Sequence, residues 1–371
     1  MTDKPTPSYS LKDVLFNEEK VTYLAGVLKG AYNELDEKAF IQDVVEKFPE
    51  LELKERISWI RSCIQKHFPE DYKTTLQILV DSLSFAEDSD FFVFASYSDY
   101  VQEVGCTKEY LDISLLALGA FTRYCSAEFA IRHFINNFPD ETYKQFEAWA
   151  VSEDHHQRRL ASEGLRPKLP WAIGIVFDYK KGSDVLDHLY YDSERYVTRS
   201  VANHLNDISK IDPDYVIEKL AAWKSSGKQE EKEMAYIISH ALRTSVKRGH
   251  APTFHFLGYS DTPDIEVKNL IIITPVVKLK ERLIFSFDIN ANAHESLIID
   301  YKITYPTPGK RVSEKVFKIK KIDMIEGETI HIEKKHLFKK MTTKKLYSGE
   351  HILAVQVNGS TVESTAFTLD V

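Results

Sequence analysis

Apolar residues recur at three- and four-residue spacing up to about Gly258 and at two-residue spacing after it, so the chain changes architecture once. Val21–Leu28, Ile57–Ile64, Leu111–Phe121 and Met234–Leu242 each carry the stripe of an amphipathic helix. Helix starts recur as proline followed by an acid, at Pro49-Glu50, Pro69-Glu70, Pro139-Asp140 and Pro213-Asp214. Proline lacks the N–H that a first turn leaves unpaired, and the acid complements the positive end of the helix. Pro139 pairs with Pro213, and Ala148-Trp149 with Ala222-Trp223, each at an offset of 74 residues. That offset holds two helix-pair units of about 37 residues, slightly under the usual HEAT or armadillo period. Trp149 and Trp223 are then expected as core residues of equivalent helices.

Beyond Gly258 the alternation predicts strands at Ile284–Ile289, Leu297–Tyr305, Val316–Ile322, Thr329–Glu333 and Ile352–Val357. Asn358-Gly359 is a hairpin turn leading into Ser364–Val371. About seven short strands in roughly 110 residues suit an immunoglobulin-like sandwich. The expected fold class is therefore an all-α helical-repeat solenoid followed by an all-β sandwich. The organisation is a disordered N-terminus at 1–9, a HEAT-like domain at 10–258 and a sandwich at 259–371. The break falls near Tyr259–Asp264, where Ser-Asp-Thr-Pro-Asp interrupts regular structure.

Composition narrows the class. Hydrophobic content of 43% and charged content of 28% are those of a soluble globular protein. No apolar run approaches the roughly 18 residues of a membrane span, and the N-terminus lacks the basic-then-apolar order of a signal peptide, so a cytoplasmic protein without membrane contact is expected. Cys63, Cys106 and Cys125 have no paired spacing and read as free thiols, with small core residues the favoured role. His155 and His156 adjoin no second ligand pair, and HExxH and CxxC are absent from the sequence. No metal and no cofactor are expected.

A net charge of −8 argues against a protein that coats nucleic acid indiscriminately, because that affinity comes from neutralising phosphates. The charge is unevenly divided. Of 48 Lys+Arg and 56 Asp+Glu, residues 259–371 hold 17 and 15, so the acidity lies in the first part. From Lys310 to Lys345 there are 12 basic and 5 acidic residues. That excess could face phosphates, or it could be lysine placed on strand edges to prevent aggregation.

Chemistry concentrates in Ser152–Gly174, where two neighbouring arginines, an interior glutamate, an Arg-Pro-Lys-Leu-Pro turn and a tryptophan crowd the end of a helix and the start of a rigid loop. A second stretch, Arg199–Ser209, sets Asn203, His204, Asn206 and Asp207 among apolar positions of a helix. Polar groups at that density in a packed helix need a reason.

Arg158 to Gly164 (RRLASEG), Arg166-Pro167, Leu169-Pro170-Trp171-Ala172 and Ser200–Ser209 together resemble the AlkC/AlkD family of HEAT-like DNA glycosylases, and its AlkC branch in particular. The resemblance covers most of residues 10–250, and an appended immunoglobulin-like module fits one branch of AlkC-like proteins. It implies excision of bases methylated at ring nitrogen, chiefly 3-methyladenine, from duplex DNA by a monomer in base excision repair. The lesion is implied to stay in the helix rather than flip into a pocket. No catalytic lysine is evident, so lyase activity is not expected.

Such a base is already cationic and a good leaving group; what the chemistry needs is stabilisation of the positive sugar. A nearby carboxylate does this and orients water, and an indole face attracts a cation at roughly 0.5–2 kcal/mol. Glu163, Asp207 and Glu128 are the candidate catalytic carboxylates. Glu163 follows Arg159 by four residues and shares its helical face, so Arg159 could hold the carboxylate or bind a phosphate; an ordinary surface ion pair is the plain alternative. Asp207 lies near a helix C-terminus, where an acid opposes the macrodipole and needs compensation. Glu128 could equally be a solvated helical acid. Trp171 follows Pro170 on a turn and is the candidate wall for the lesion, with a plug between repeats the other reading. Arg158, Arg166, Lys168, Arg199 and His204 are the candidate DNA contacts, the basic ones gripping phosphates without reading sequence. The alternative to an enzyme is a non-catalytic helical-repeat scaffold that binds DNA or protein, which would leave Glu163, Asp207 and Trp171 dispersed or buried in ordinary packing, where an enzyme brings them to one concave, positively rimmed surface.

Overall fold

A computed structural model describes residues 10–87, 92–307, 309, 312–340 and 345–371. Among these, helices run from Leu11 to Phe256 and strands from Ile265 to Asp370. The expected amphipathic stripes lie in the helices Glu18–Ala31, Leu53–His67, Leu111–Phe121 and Glu231–Ala241. Their inward positions, such as Leu24, Leu28, Ile60, Ile64 and Leu118, are fully buried. The N-terminal segment 1–9 lies outside the described residues.

The proline-acid signals divide into two kinds. Pro139 and Pro213 begin the helices Pro139–Ala150 and Pro213–Ser226. Pro49 instead sits in a short 3₁₀ turn, Phe48–Glu50, and Pro69 precedes a helix that is capped by Asp71, whose carboxylate accepts the Thr74 N–H at 2.8 Å. A side-chain cap satisfies the same orphan donors that proline removes, so the two devices alternate. Trp149 and Trp223 are both buried, as their matched positions suggested. Trp223 stacks on Tyr190 at 4.5 Å and donates its indole N–H to Asp187 at 2.7 Å.

Helix gives way to strand between Phe256 and Ile265. Compactness divides the chain elsewhere. One unit comprises residues up to Ile208 with Ala222–His240; the other comprises Ser209–Ala221 with Ala241–Val371. The short helices Arg243–Lys247 and Ala251–Phe256 therefore belong with the sheets, although their period assigns them to the first part. Gly249 gives the local reason: a Cβ there would lie 2.6 Å from the carbonyl oxygen of Gly359, and both glycines have positive φ, 69° and 82°. Only residues without a side chain allow these two backbones to approach so closely.

The second unit contains β1 (Ile265–Ile272), β2 (Val276–Lys278), β3 (Arg282–Ala291), β4 (Glu295–Tyr305), β5 (Ser313–Met324), β6 (Thr329–Leu337), β7 (Gly349–Val357) and β8 (Ser360–Asp370). They form one sheet of order β1-β3-β6 and another of order β2-β8-β7-β4-β5. Phe285, Phe287 and Ile289 of β3 share a core with Leu297, Ile299 and Tyr301 of β4 and with Leu353 and Val355 of β7. That is the sandwich the alternation implied, with β1 and β2 added to the strands it located. The turn Asn358-Gly359 has positive φ at both residues, and the Asn358 amide oxygen accepts the Ile298 N–H at 2.8 Å. Lys315, Lys318 and Lys321 fall on β5, and Lys334 and Lys335 on β6. Both are edge strands, where lysine discourages pairing with another chain. Lys310, Arg311 and Lys344 lie outside the described residues.

Candidate active site

The helix His155–Gly164 is capped by Asp154, whose side chain accepts the His156 N–H at 2.8 Å. Its last turn, Leu160 to Gly164, is buried. A Cβ at Gly164 would meet Ile131 and Phe146 at 2.9 Å, so a glycine lets this turn sit against its neighbours. The helix Arg195–Ile208 presents Ser200, His204 and Asp207 at i, i+4 and i+7, one face, and that face meets the buried turn.

The contacts between the two helices are specific. Glu163 accepts the Ser200 hydroxyl on Oε2 and Arg166 Nη1 on Oε1, both at 2.5 Å. Arg166 Nε donates to Asp207 Oδ2 at 2.8 Å. On the other side, Arg159 Nη2 lies 3.7 Å from Glu163 Oε1, and Arg159 Nη1 lies 2.6 Å from Glu128 Oε2. Ser126 Oγ joins this end, donating to Glu128 at 2.9 Å and accepting from Arg159 at 2.5 Å. Three carboxylates and two guanidiniums thus alternate as Glu128, Arg159, Glu163, Arg166, Asp207. Exposure of the carboxylate side chains falls along that order, from 17% at Glu128 to 6% at Glu163 and 1% at Asp207.

Electrostatics follow from the alternation. Burial opposes the charge on Arg159 and Arg166, yet the flanking carboxylates outweigh it and hold both guanidiniums above their ordinary range. His204 is fully buried; burial first, and the Arg166 charge second, push its imidazole down to about 4. It is neutral at pH 7, with Nδ1 2.9 Å from the Ser162 carbonyl oxygen and Nε2 without a partner among the described residues.

Arg132 is a residue the sequence reading did not single out. Its side chain is fully buried, and it donates to the carbonyls of Gly164 at 3.1 Å, Arg166 at 2.8 Å and Ile173 at 2.6 Å. Burial, with Arg166 nearby, pushes its pKa down to about 10, which leaves it charged at neutral pH. One guanidinium therefore ties the end of the Glu163 helix to the loop that follows. The signal in the sequence is an arginine set between the apolar pairs Ala130-Ile131 and Phe134-Ile135.

That loop carries Trp171, 70% exposed and held at φ +64°. A left-handed conformation is costly for a side chain of this size and persists only where the surroundings impose it. They do: the Trp171 carbonyl accepts from Lys54, the Ile173 carbonyl from Arg132, and the Gly174 carbonyl from Asn136, whose Oδ1 also accepts the Val176 N–H. The plug reading of Trp171 is thereby displaced, because a plug would be buried.

Several expected phosphate contacts have other partners. Arg158 binds Asp192 through Nε at 2.5 Å and Nη2 at 3.1 Å, and its Nη1 donates to the carbonyls of Ser152 and Glu153. Arg166 is 8% exposed and engaged by Glu163 and Asp207, and His204 is wholly buried. In these three the donors face protein, not solvent. Lys168 and Arg199 are exposed. Asp154, His155 and His156, expected to form no ligand group, bring one ligand-type atom each within 4.8 Å of one another, although the Asp154 carboxylate also serves as the helix cap.

Comparison with known proteins bears on both units. Residues 266–371 match the family model described as the C-terminal Ig-like domain of uncharacterised protein YhaZ. The chain is 32% identical over 361 residues to protein YhaZ of Bacillus subtilis, covering 96% of this chain and 98% of that one. Among solved structures it is similar to the alkylpurine DNA glycosylase AlkC of Pseudomonas fluorescens, solved with DNA containing an abasic-site analogue. There the TM-score is 0.88 and the identity 32%, over 98% of this chain and all of that one.

Proposed function

The chain belongs to the AlkC family, and from that footing we propose that it is a monofunctional DNA glycosylase that hydrolyses the N-glycosidic bond of N-methylated cationic bases, chiefly 3-methyladenine, in duplex DNA. The observation that carries this reading is the convergence of Glu163 and Asp207 on the single guanidinium of Arg166. A scaffold would gain nothing from it, since buried ion pairs contribute little stability over apolar packing.

In the proposed reaction the glycosidic electron pair passes to the base and cancels its charge, leaving a positive deoxyribose. Asp207, Glu163 and Glu128 supply negative potential at that sugar. The arginines between them fix the oxygens in place before the reaction, so no reorganisation is needed when charge develops. Water adds its oxygen to the sugar carbon and gives its proton to a carboxylate. Trp171, exposed on a loop whose carbonyls are tied to Lys54, Arg132 and Asn136, offers its face to the cationic lesion. The lesion is reached in the helix without prior flipping.

Lys168 and Arg199 are the proposed backbone contacts of the helical unit, and Lys315, Lys318 and Lys321 on β5 are proposed to grip DNA from the sandwich. The protein is proposed to act as a monomer in the cytoplasm, in base excision repair. Release of free 3-methyladenine from methylated duplex by the purified chain, followed by mass spectrometry, tests the reading. Absence of release, or unchanged release by Asp207→Asn and Glu163→Gln, overturns it.

A further inference from the structure

A cavity of about 330 Å³ lies inside the helical unit, beside the carboxylate chain. Ser126 and Trp171 both border it. Ser126 is also the hydroxyl shared by Glu128 and Arg159, so the cavity begins where the exposed end of the chain stops. Ile57, Phe129 and Ile173 supply apolar wall, and Ser98, Gln102 and His133 supply polar atoms.

Ser98 is the telling residue. It is only 5% exposed and lines this cavity, and its hydroxyl, shielded from solvent in the resting rotamer, has no hydrogen-bond partner among the described residues. Buried polar groups are almost always satisfied, by protein, water or ligand. The space here far exceeds that of one water, and it has the size and lining of a small-molecule pocket.

The surroundings set the class of ligand. Asp99, also on the wall, is paired with Arg61 at 3.1 Å. Burial lowers the pKa of His133 below its ordinary value, so the ring is neutral near pH 7. Lys54, the cation of the lining, is held by the Trp171 carbonyl and sits 5.3 Å from the Phe129 ring centre. One tethered ammonium does not make a phosphate site. Aromatic and aliphatic wall with a few uncharged donors and acceptors suits a neutral planar heterocycle.

We propose that this cavity is the exit subsite for the excised base, taking the neutral N-methylated purine once the glycosidic bond has broken. The proposal rests on the glycosylase reading and extends it. Bond cleavage delivers the charge state the cavity prefers, because the electron pair retained by the base removes the positive charge of the methylated ring. Phe129 and Trp171 offer faces to the purine, and Ser98 and Gln102 meet its polar edge.

Equilibrium dialysis of free 3-methyladenine against the full chain without DNA provides the test. The expected dissociation constant is about 1 mM or tighter, weakened about tenfold in Ser98→Leu, which fills the cavity and removes the hydroxyl. Gln102→Leu, one turn along the same helix Ala95–Gly105, gives the same reading if Ser98→Leu fails to fold by circular dichroism. Release of base from methylated duplex by the wild-type chain, with no binding of the free base or with equal binding in folded variants, overturns the exit subsite and leaves the glycosylase reading standing. Failure of the wild-type chain to release base overturns the glycosylase reading itself.

Discussion

Arg166 and Asp207 meet at 2.8 Å between Nε and Oδ2, with the aspartate side chain 1% exposed. An arginine in the Arg-Pro-Lys-Leu-Pro turn thus reaches across to the last turn of the helix Arg195–Ile208. The same guanidinium holds Glu163, so one cation serves two carboxylates from different helices. It also supplies the compensation that Asp207 needs at a helix C-terminus. Arg166→Met is expected to lower unfolding free energy by about 3–5 kcal/mol, because two carboxylates would remain buried beside one fewer positive partner. Urea denaturation followed by circular dichroism measures this, and a loss under about 1 kcal/mol contradicts it.

Removing a carboxylate's charge while keeping its shape should separate catalysis from binding. Asp207→Asn and Glu163→Gln are each expected to slow base release by about 10²–10³-fold, the cost typical of losing one preorganised electrostatic group. Affinity for duplex carrying an abasic analogue should change far less. Glu128→Gln, at the exposed end, should slow release by about tenfold, a smaller effect because solvent screens that position. Single-turnover rates beside fluorescence-anisotropy binding distinguish the two quantities.

His204 makes folding sensitive to acid. Its folded pKa of about 4 lies below the 6.5 of an unfolded histidine. The unfolded chain therefore binds the extra proton, and the stability present above pH 6.5 is lost as pH falls toward 4. The contribution is at most about 3 kcal/mol. His336, pushed by burial to about 4 in the sandwich unit, acts over the same window. His204→Gln is expected to flatten part of the decline in stability between pH 7 and pH 4.5, with His336 and His133, whose pKa burial also lowers, contributing to what is left; an unaltered decline in His204→Gln contradicts the assignment.

Arg158 and Arg199 lie on neighbouring helices of one unit and are predicted to do different work. Arg158→Ala should destabilise the fold by about 3 kcal/mol, since it strands a buried Asp192 whose side chain is 4% exposed. Arg199→Ala should leave stability within about 0.5 kcal/mol and reduce the slope of log affinity against log salt by about 1. Measuring DNA binding over a salt series for both variants checks the distinction. A reduced slope for Arg158→Ala with no loss of stability reverses it.

Much of the architecture was legible in the chain. The change from a helical to a two-residue period marks the move to strands, and Asn358-Gly359 names its own hairpin, because these signals act over a few neighbouring residues. Trp149 and Trp223 were legible as core from matched spacing. The strands β1 and β2 were not, since both alternate weakly and lie at sheet edges, where exposure removes the apolar signal. The membership of Arg243–Phe256 in the second unit was not legible either, because it depends on a contact across more than a hundred residues, Gly249 against Gly359.

The sequence by itself singled out the candidate segments: Glu128, Glu163 and Asp207 as the acids, and Trp171 on a turn. Only the tertiary structure decided what each arginine does. Arg158, Arg159, Arg166 and Arg199 look alike in sequence, since a guanidinium binds a phosphate or a carboxylate by the same hydrogen bonds. Burial separates them. Where Asp192, Glu128, Glu163 or Asp207 is brought to the donors in a place shielded from water, the arginine becomes part of the protein's interior, and where no carboxylate among the described residues is brought, as at Arg199, it is left facing solvent. Arg132 carries the same lesson furthest, for its partners are backbone carbonyls, which every sequence contains and none displays.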